Sequence, residues 1–324
     1  MDATLWLLVM RSPHPSTSNA QAMHSKRPFL AHLPDRWLRW LVQGRNTLLS
    51  VLEPFDRLWL AINGKHPWPP LALRRYVGPL SVFESSAAEY VTLLKLLARL
   101  ERHHRVLDLG CGCGALALQL RGYLQPERGG EYIGVDIHQP SIRWCQRALS
   151  APGFTFVRFN AHSAAFNPNG ERAFDYQAAL APFQPVNVAV AKSLFTHLRP
   201  ETCLAYLQAV RRVLAPEGAF LFSAFTYASE SDLAGAEIAF RFGEGCFRHA
   251  YAERVESAVA FDERWLKDAL SEAGFVLDAF YPGTWRASGA GLSFQDVFVV
   301  RPNHSIGCAN TNPDLVRSAH EGVD

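Results

Sequence analysis

Asp108 stands two residues before the first of three glycines, Gly110, Gly112 and Gly114, in the stretch VLDLGCGCG that begins at Val106. Glycine carries no Cβ, so such a loop turns sharply and lets a ligand approach the backbone itself. A carboxylate beside the loop then selects by charge, repelling a pyrophosphate and attracting a cation. The spacing agrees: a dinucleotide loop reads G-x-G-x-x-G, whereas these glycines fall at every second position. Asp136 ends the next apolar run, EYIGVDI (131–137). In an open α/β sheet a carboxylate there can accept both hydroxyls of a ribose. The ligand so described is nucleoside-like, cationic and free of phosphate.

The elements that must hold these groups follow from periodicity. Apolar runs predict strands at 105–110, 131–137, 154–160, 186–193, 218–226, 275–281 and 295–301. Helical spacing predicts helices at 85–100, with a Ser cap at its start, and at 115–124, 140–149, 200–214 and 262–274. Alternating strands and helices, with strands apolar throughout, predict a mostly parallel sheet covered on both faces. Residues 35–62 carry Trp37, Trp40 and Trp59 among Arg36, Arg39, Arg45 and Arg57, with Pro54 expected to divide them into two helices. They suit a helical cap docked on the core, or an amphipathic anchor touching a membrane surface.

Bulk properties narrow the class. The chain has 324 residues and a formal net charge of +2, with no basic block to track phosphates, so dedicated nucleic-acid binding is not expected. The six cysteines show no zinc spacing and are read as free thiols in a reducing, cytoplasmic compartment, with no metal site. The apolar run Leu5–Met10 is too short for a secretory signal. The expected organisation is an extension at 1–34, disordered or mis-annotated with Met23 as the start. A helical cap at 35–100, a ligand-binding domain at 101–301 and a polar tail at 302–324 follow.

The motifs VLDLGCGCG and YIGVDI resemble those of the class I S-adenosylmethionine-dependent methyltransferases, over residues 76 to 301. S-adenosylmethionine carries an ammonium and a sulfonium and no phosphate. The resemblance implies a Rossmann-like, doubly wound, seven-stranded sheet with an antiparallel last strand, after an N-terminal helical extension. It implies that Asp108, Gly110, Cys111 and Gly112 hold the methionine part and that Gly114 completes the cofactor loop. Asp136 would hold the ribose, Ile137 would pack on adenine, and Asn160 would meet the adenine amine in place of an Asp. Ala161 and His162 are the next candidates for that contact.

FTHL (195–198), NPNG (167–170), GTW (283–285) and SFQD (293–296) are similar to a bacterial subgroup of uncharacterised or small-molecule methyltransferases. The acceptor implied is a small molecule or glycan, methylated at a hydroxyl. His197 is the candidate base, or else packs the turn before Pro200. Tyr227, Trp285, Gln295 and Asp296 are candidate acceptor contacts, with Trp285 as a core aromatic and Asp296 as a surface strand residue the competing readings. Lys192 is expected to reach solvent, the competing reading being a pair with an acidic acceptor, and residues 228–261 to fold over the acceptor. A degenerate fold that binds cofactor without catalysis is the alternative, and Asn160 is its hint.

Overall fold

A computed structural model describes residues 49, 51–65, 67–75, 77, 80–243, 245–286 and 289–304. A helix at 51–62 (α1) is followed by the short helix Leu71–Arg74 (α2) and by Phe83–Leu96 (α3). Then come β1 (Arg105–Leu109), α4 (Ala115–Leu120), β2 (Glu131–Asp136), α5 (Gln139–Ala148) and β3 (Phe154–Arg158). The chain continues through α6 (Tyr176–Leu180), β4 (Val186–Ala191), α7 (Pro200–Val213), β5 (Leu214–Tyr227) and α8 (Glu230–Leu233). It ends with β6 (Phe247–His249), β7 (Val259–Asp262), α9 (Glu263–Glu272), β8 (Phe275–Tyr281) and β9 (Asp296–Pro302).

The seven expected strands lie in the order β3-β2-β1-β4-β5-β9-β8, with β9 antiparallel to both neighbours. The residues of β1 alternate between two covered faces, as a pleat with period 2 requires. Leu107 and Leu109 join Ile133 and Val135 under Leu207 of α7 and Leu266 of α9. Val106 joins Tyr132 on the other face, under Leu94 of α3, Leu116 of α4 and Ile142 of α5. Helix α3, which the sequence groups with the cap, therefore belongs to the same apolar cluster as β1. Strand order reverses between β1 and β4, so the carboxyl ends of these strands open a crevice where open α/β sheets bind ligands.

Two strands come in addition. The last three residues of β5 run past β9 and pair with β7, and β6 pairs antiparallel with β7. Both lie in or at the end of the 228–261 insert, whose irregular composition hid them. Two local expectations are corrected. Helix α3 starts at Phe83 with no side-chain cap, and Ser85 Oγ donates to Val82 O instead. Pro54 lies inside the helical run 51–62 rather than at a break. Residues 1–48 and 305–324, including Trp37, Trp40, the Met23 start and most of the tail, lie outside the described residues.

Candidate cofactor and acceptor site

The glycine loop is stapled to the neighbouring strand. Gly110 N and Cys111 N donate to Val135 O at 2.8 and 3.1 Å. Gly112 N donates to Asp136 Oδ2 at 2.8 Å, and His138 N to Asp136 Oδ1 at 2.7 Å. The Asp136 carboxylate thus fixes the loop through one oxygen and the strand end through the other. All three glycines have positive φ, and Gly114 at 79° caps α4. A Cβ on Gly114 would lie 2.5 Å from Leu149 Cδ1, so a bare backbone there lets α4 close on α5.

Burial sets the electrostatics of the two acids. Asp108 is almost fully buried and accepts a hydrogen bond from Tyr132 Oη. Burial pushes its carboxyl up to about 7, against the pull of that bond. Burial also raises Asp136 above the ordinary carboxylate range, opposed by the bonds from His138 N and Gly112 N. A cationic ligand would draw both back toward the ionised form.

A cavity of about 790 Å³ opens on this loop. Asp108, Gly110, Cys111, Gly112, Asp136, Ile137 and Ala161 all line it, and so do His197 and Gln295. The donor set fits S-adenosylmethionine: an acid at the loop for the cationic amino-acid part, and an acid at the strand end for ribose hydroxyls. Strand order agrees with the same ligand class. Residues 86–279, more than half of the chain, match the family model described as a methyltransferase domain. The chain belongs to the class I S-adenosylmethionine-dependent methyltransferases.

Among curated relatives, the phthiotriol/phenolphthiotriol dimycocerosates methyltransferase 1 of Mycobacterium ulcerans is 31% identical over 139 residues, 41% of this chain and 44% of that one. The fatty-acid O-methyltransferase of Mycolicibacterium smegmatis is 31% identical over 119 residues, 37% of this chain and 36% of that one. The matched region thus spans less than half the length of either relative. A solved methyltransferase from Clostridium acetobutylicum superposes with a TM-score of 0.43 at 12% identity, covering 68% of this chain and 92% of the other.

Around the rest of this methyltransferase cavity, His197 sits on a 3-10 turn (Phe195–His197) after β4. Its Nδ1 is 2.9 Å from the carbonyl oxygen of Glu256. A carbonyl only accepts, so Nδ1 carries the hydrogen and Nε2 keeps its lone pair. Burial lowers the His197 pKa below 6.5, with the Glu256 carbonyl opposing, so the imidazole is neutral at pH 7. The Glu256 carboxylate in turn accepts from Ser163 Oγ at 2.7 Å and from Ala164 N at 3.1 Å. The insert therefore reaches the cavity wall through Glu256, and through Glu237. Gln295 Oε1 accepts from Ser193 Oγ at 3.0 Å and Ser223 Oγ at 2.6 Å. Ser193 itself is left-handed, at φ 59°, a strain its bonds to Ser223 and Gln295 hold in place.

Five sequence candidates do not line the cavity. Gly114 lies behind the loop as a packing position. Asn160 Oδ1 accepts from Arg158 at 3.2 Å and its amide donates to Glu171 at 3.1 Å, so Ala161 and His162 form the wall instead. Asp296 is fully buried as a structural tie. It accepts from Thr226 N and Oγ1, each at 2.8 Å, from Gly283 N at 2.7 Å and from Arg286 at 3.2 Å. Trp285 is fully buried against Phe225 and Phe240, in a small core shared with the insert. Tyr227 donates to Gly245 O at 3.4 Å beneath Arg248. The GTW and SFQD pieces thus mainly fasten the last hairpin, and only the latter reaches the cavity, through Ser293, Phe294 and Gln295.

Lys192 corrects another expectation. It lines the cavity rather than reaching solvent, with Nζ 5.4 Å from the centroid of the Tyr90 ring. Helix α3 covers the end of β4 there. Burial lowers the Lys192 pKa, opposed by Asp108 and Glu89. Tyr90, Phe166, Tyr176, Tyr206 and Glu256 also line the cavity and were not singled out from sequence. For Tyr90 a signal existed, its place on the apolar face of a helix, but that pattern reads equally as core.

Proposed function

We propose that this methyltransferase moves the methyl group of S-adenosylmethionine onto a hydroxyl of a small-molecule or glycan acceptor, with His197 as general base. The observation that carries the reading is the tautomer of His197. Its Nδ1–H is spent on the Glu256 carbonyl, which leaves Nε2 to accept a proton, and His197 lines the cavity. When bound, S-adenosylmethionine supplies an electrophilic methyl carbon on a positively charged sulfur. The carboxylates Asp108 and Asp136 hold the cofactor's cationic and ribose parts. His197 Nε2 takes the hydroxyl proton as the new O–C bond forms, and the C–S bond breaks to leave neutral S-adenosylhomocysteine. The cavity walls align the acceptor oxygen with the methyl carbon, which supplies the orientational part of the acceleration. A relative named as a fatty-acid O-methyltransferase supports an oxygen acceptor.

Asn160 supports the non-catalytic alternative only if it stands in the cofactor site. Its side chain is tied instead to Arg158 and Glu171, off the cavity wall. The test is transfer of tritiated methyl from S-adenosylmethionine to a panel of hydroxylated small molecules and glycans. His197→Ala should lower the rate by about 10²- to 10⁴-fold while S-adenosylhomocysteine affinity stays level. Because the base acts when deprotonated, the rate should fall on the acid side, below pH 6.5. Equal loss of rate and cofactor affinity would assign His197 to packing.

A further inference from the structure

Helix α1 is attached by its polar face. Glu53 Oε2 accepts from Leu71 N at 2.9 Å, and Asp56 pairs with the buried Arg74 of α2. Leu60, on the same side, is 5% exposed. The opposite face carries Val51, Phe55, Leu58, Trp59 and Ile62, exposed by 60, 69, 60, 54 and 76%. At 100° per residue these five fall within an arc of about 100°, the full apolar stripe of an amphipathic helix. A helix that served only to cap the core would turn this stripe inward. Exposing it costs free energy that only an apolar occupant can return.

We propose that the apolar face of α1 docks the protein on an anionic lipid surface. The chain leading into α1 supplies the charge. Residues 24–48 contain Lys26, Arg27, Arg36, Arg39 and Arg45 against the single acid Asp35, together with Trp37 and Trp40. Basic side chains attract anionic headgroups, and tryptophan favours the headgroup level. Phe55 and Trp59 continue that pattern on α1 itself. No helix among the described residues is long and apolar enough to cross a membrane. Docking is therefore interfacial, with the helix lying in the surface plane. The consequence reaches the cavity. The segment that α1 clamps at Leu71 and Arg74 runs directly into Arg75 and Val77, which line the wall.

The experiment is co-sedimentation of the full chain with two kinds of vesicle, phosphatidylcholine alone and phosphatidylcholine mixed with phosphatidylglycerol. The proposal predicts binding to the mixed vesicles at least about tenfold tighter than to the neutral ones. Phe55→Glu combined with Trp59→Glu should weaken it by about tenfold or more. These positions face solvent, so the double variant should keep its circular dichroism and its affinity for S-adenosylhomocysteine. A different exposed pair, Leu58→Glu with Ile62→Glu, repeats the test if the first fails to fold. A full chain that stays in the supernatant with both vesicles, or a variant that sediments like the parent, would overturn the proposal. So would a concentration-dependent dimer in sedimentation velocity that the same variants abolish, which would make a second copy the occupant. The outcome is independent of whether the cavity binds cofactor.

Discussion

At the scale of single residues, Asp108 is a buried acid that works against the fold. Its ordinary value of 3.8 is pushed up to about 7 by burial. Folding therefore takes up a proton between these values. The stability this contributes is full below pH 4 and lost as pH rises through 7, where a buried charge must be carried. Asp108→Asn keeps an acceptor for Tyr132 Oη and removes the charge. In the cofactor-free protein it should raise unfolding stability at pH 8, by on the order of 2 kcal/mol, and leave it unchanged near pH 4. Thermal unfolding across that range checks the sign. The same substitution should weaken S-adenosylmethionine binding, and in the parent that affinity should rise with pH through 7 as a proton is released. Asp108 and Asp136 were legible in the sequence because each ends a strand beside a contiguous motif. Asp296 and Tyr227 were not, while Trp285 was legible only through its competing reading as a core aromatic. Whether a hairpin residue faces a cavity or a core depends on register, and a one-residue step reverses the face.

At the scale of elements, the loop between β1 and α4 and the insert before α9 position the chemistry. Gly114→Ala would place a methyl group 2.5 Å from Leu149 Cδ1 at φ 79°. It should destabilise the protein by about 2–3 kcal/mol, measured by denaturant unfolding, with a loss of cofactor affinity that follows the distorted loop. Glu256 ties the insert to Ser163 and Ala164 while its carbonyl fixes His197. Glu256→Ala should loosen that carbonyl. Nitrogen NMR of the imidazole would then show mixed tautomers and a pKa moved toward 6.5, while Glu256→Gln keeps much of the parent signature. An unchanged His197 signal in the alanine variant would separate Glu256 from the base. The strands and major helices were readable from apolar runs and periodicity. The insert was not, because β6 and β7 are short and borrow their pairing from the overrunning end of β5. Glu256 was invisible for the same reason, its partners lying 92 and 93 residues away.

At the scale of the whole molecule, one sheet carries two covered faces and a crevice at its strand-order reversal. The cavity wall at the glycine loop is built from three adjacent strand ends, and these are the parts a sequence states directly. The rest of the cavity wall is gathered from α3, the turn after β4, the insert and the last hairpin. Such a site exists only once the chain has folded, so Phe166 and Glu256 carried no local signal, and those of Tyr90 and Lys192 read equally as core and solvent. The most direct test of the central claim is calorimetric titration of the purified full chain and of Asp136→Ala with S-adenosylhomocysteine. Saturable one-site binding to the parent, weakened by about 10- to 100-fold in the variant, is the predicted result. No binding by a folded parent, or equal binding by both proteins, would contradict the assignment of the glycine loop and its carboxylates to this cofactor.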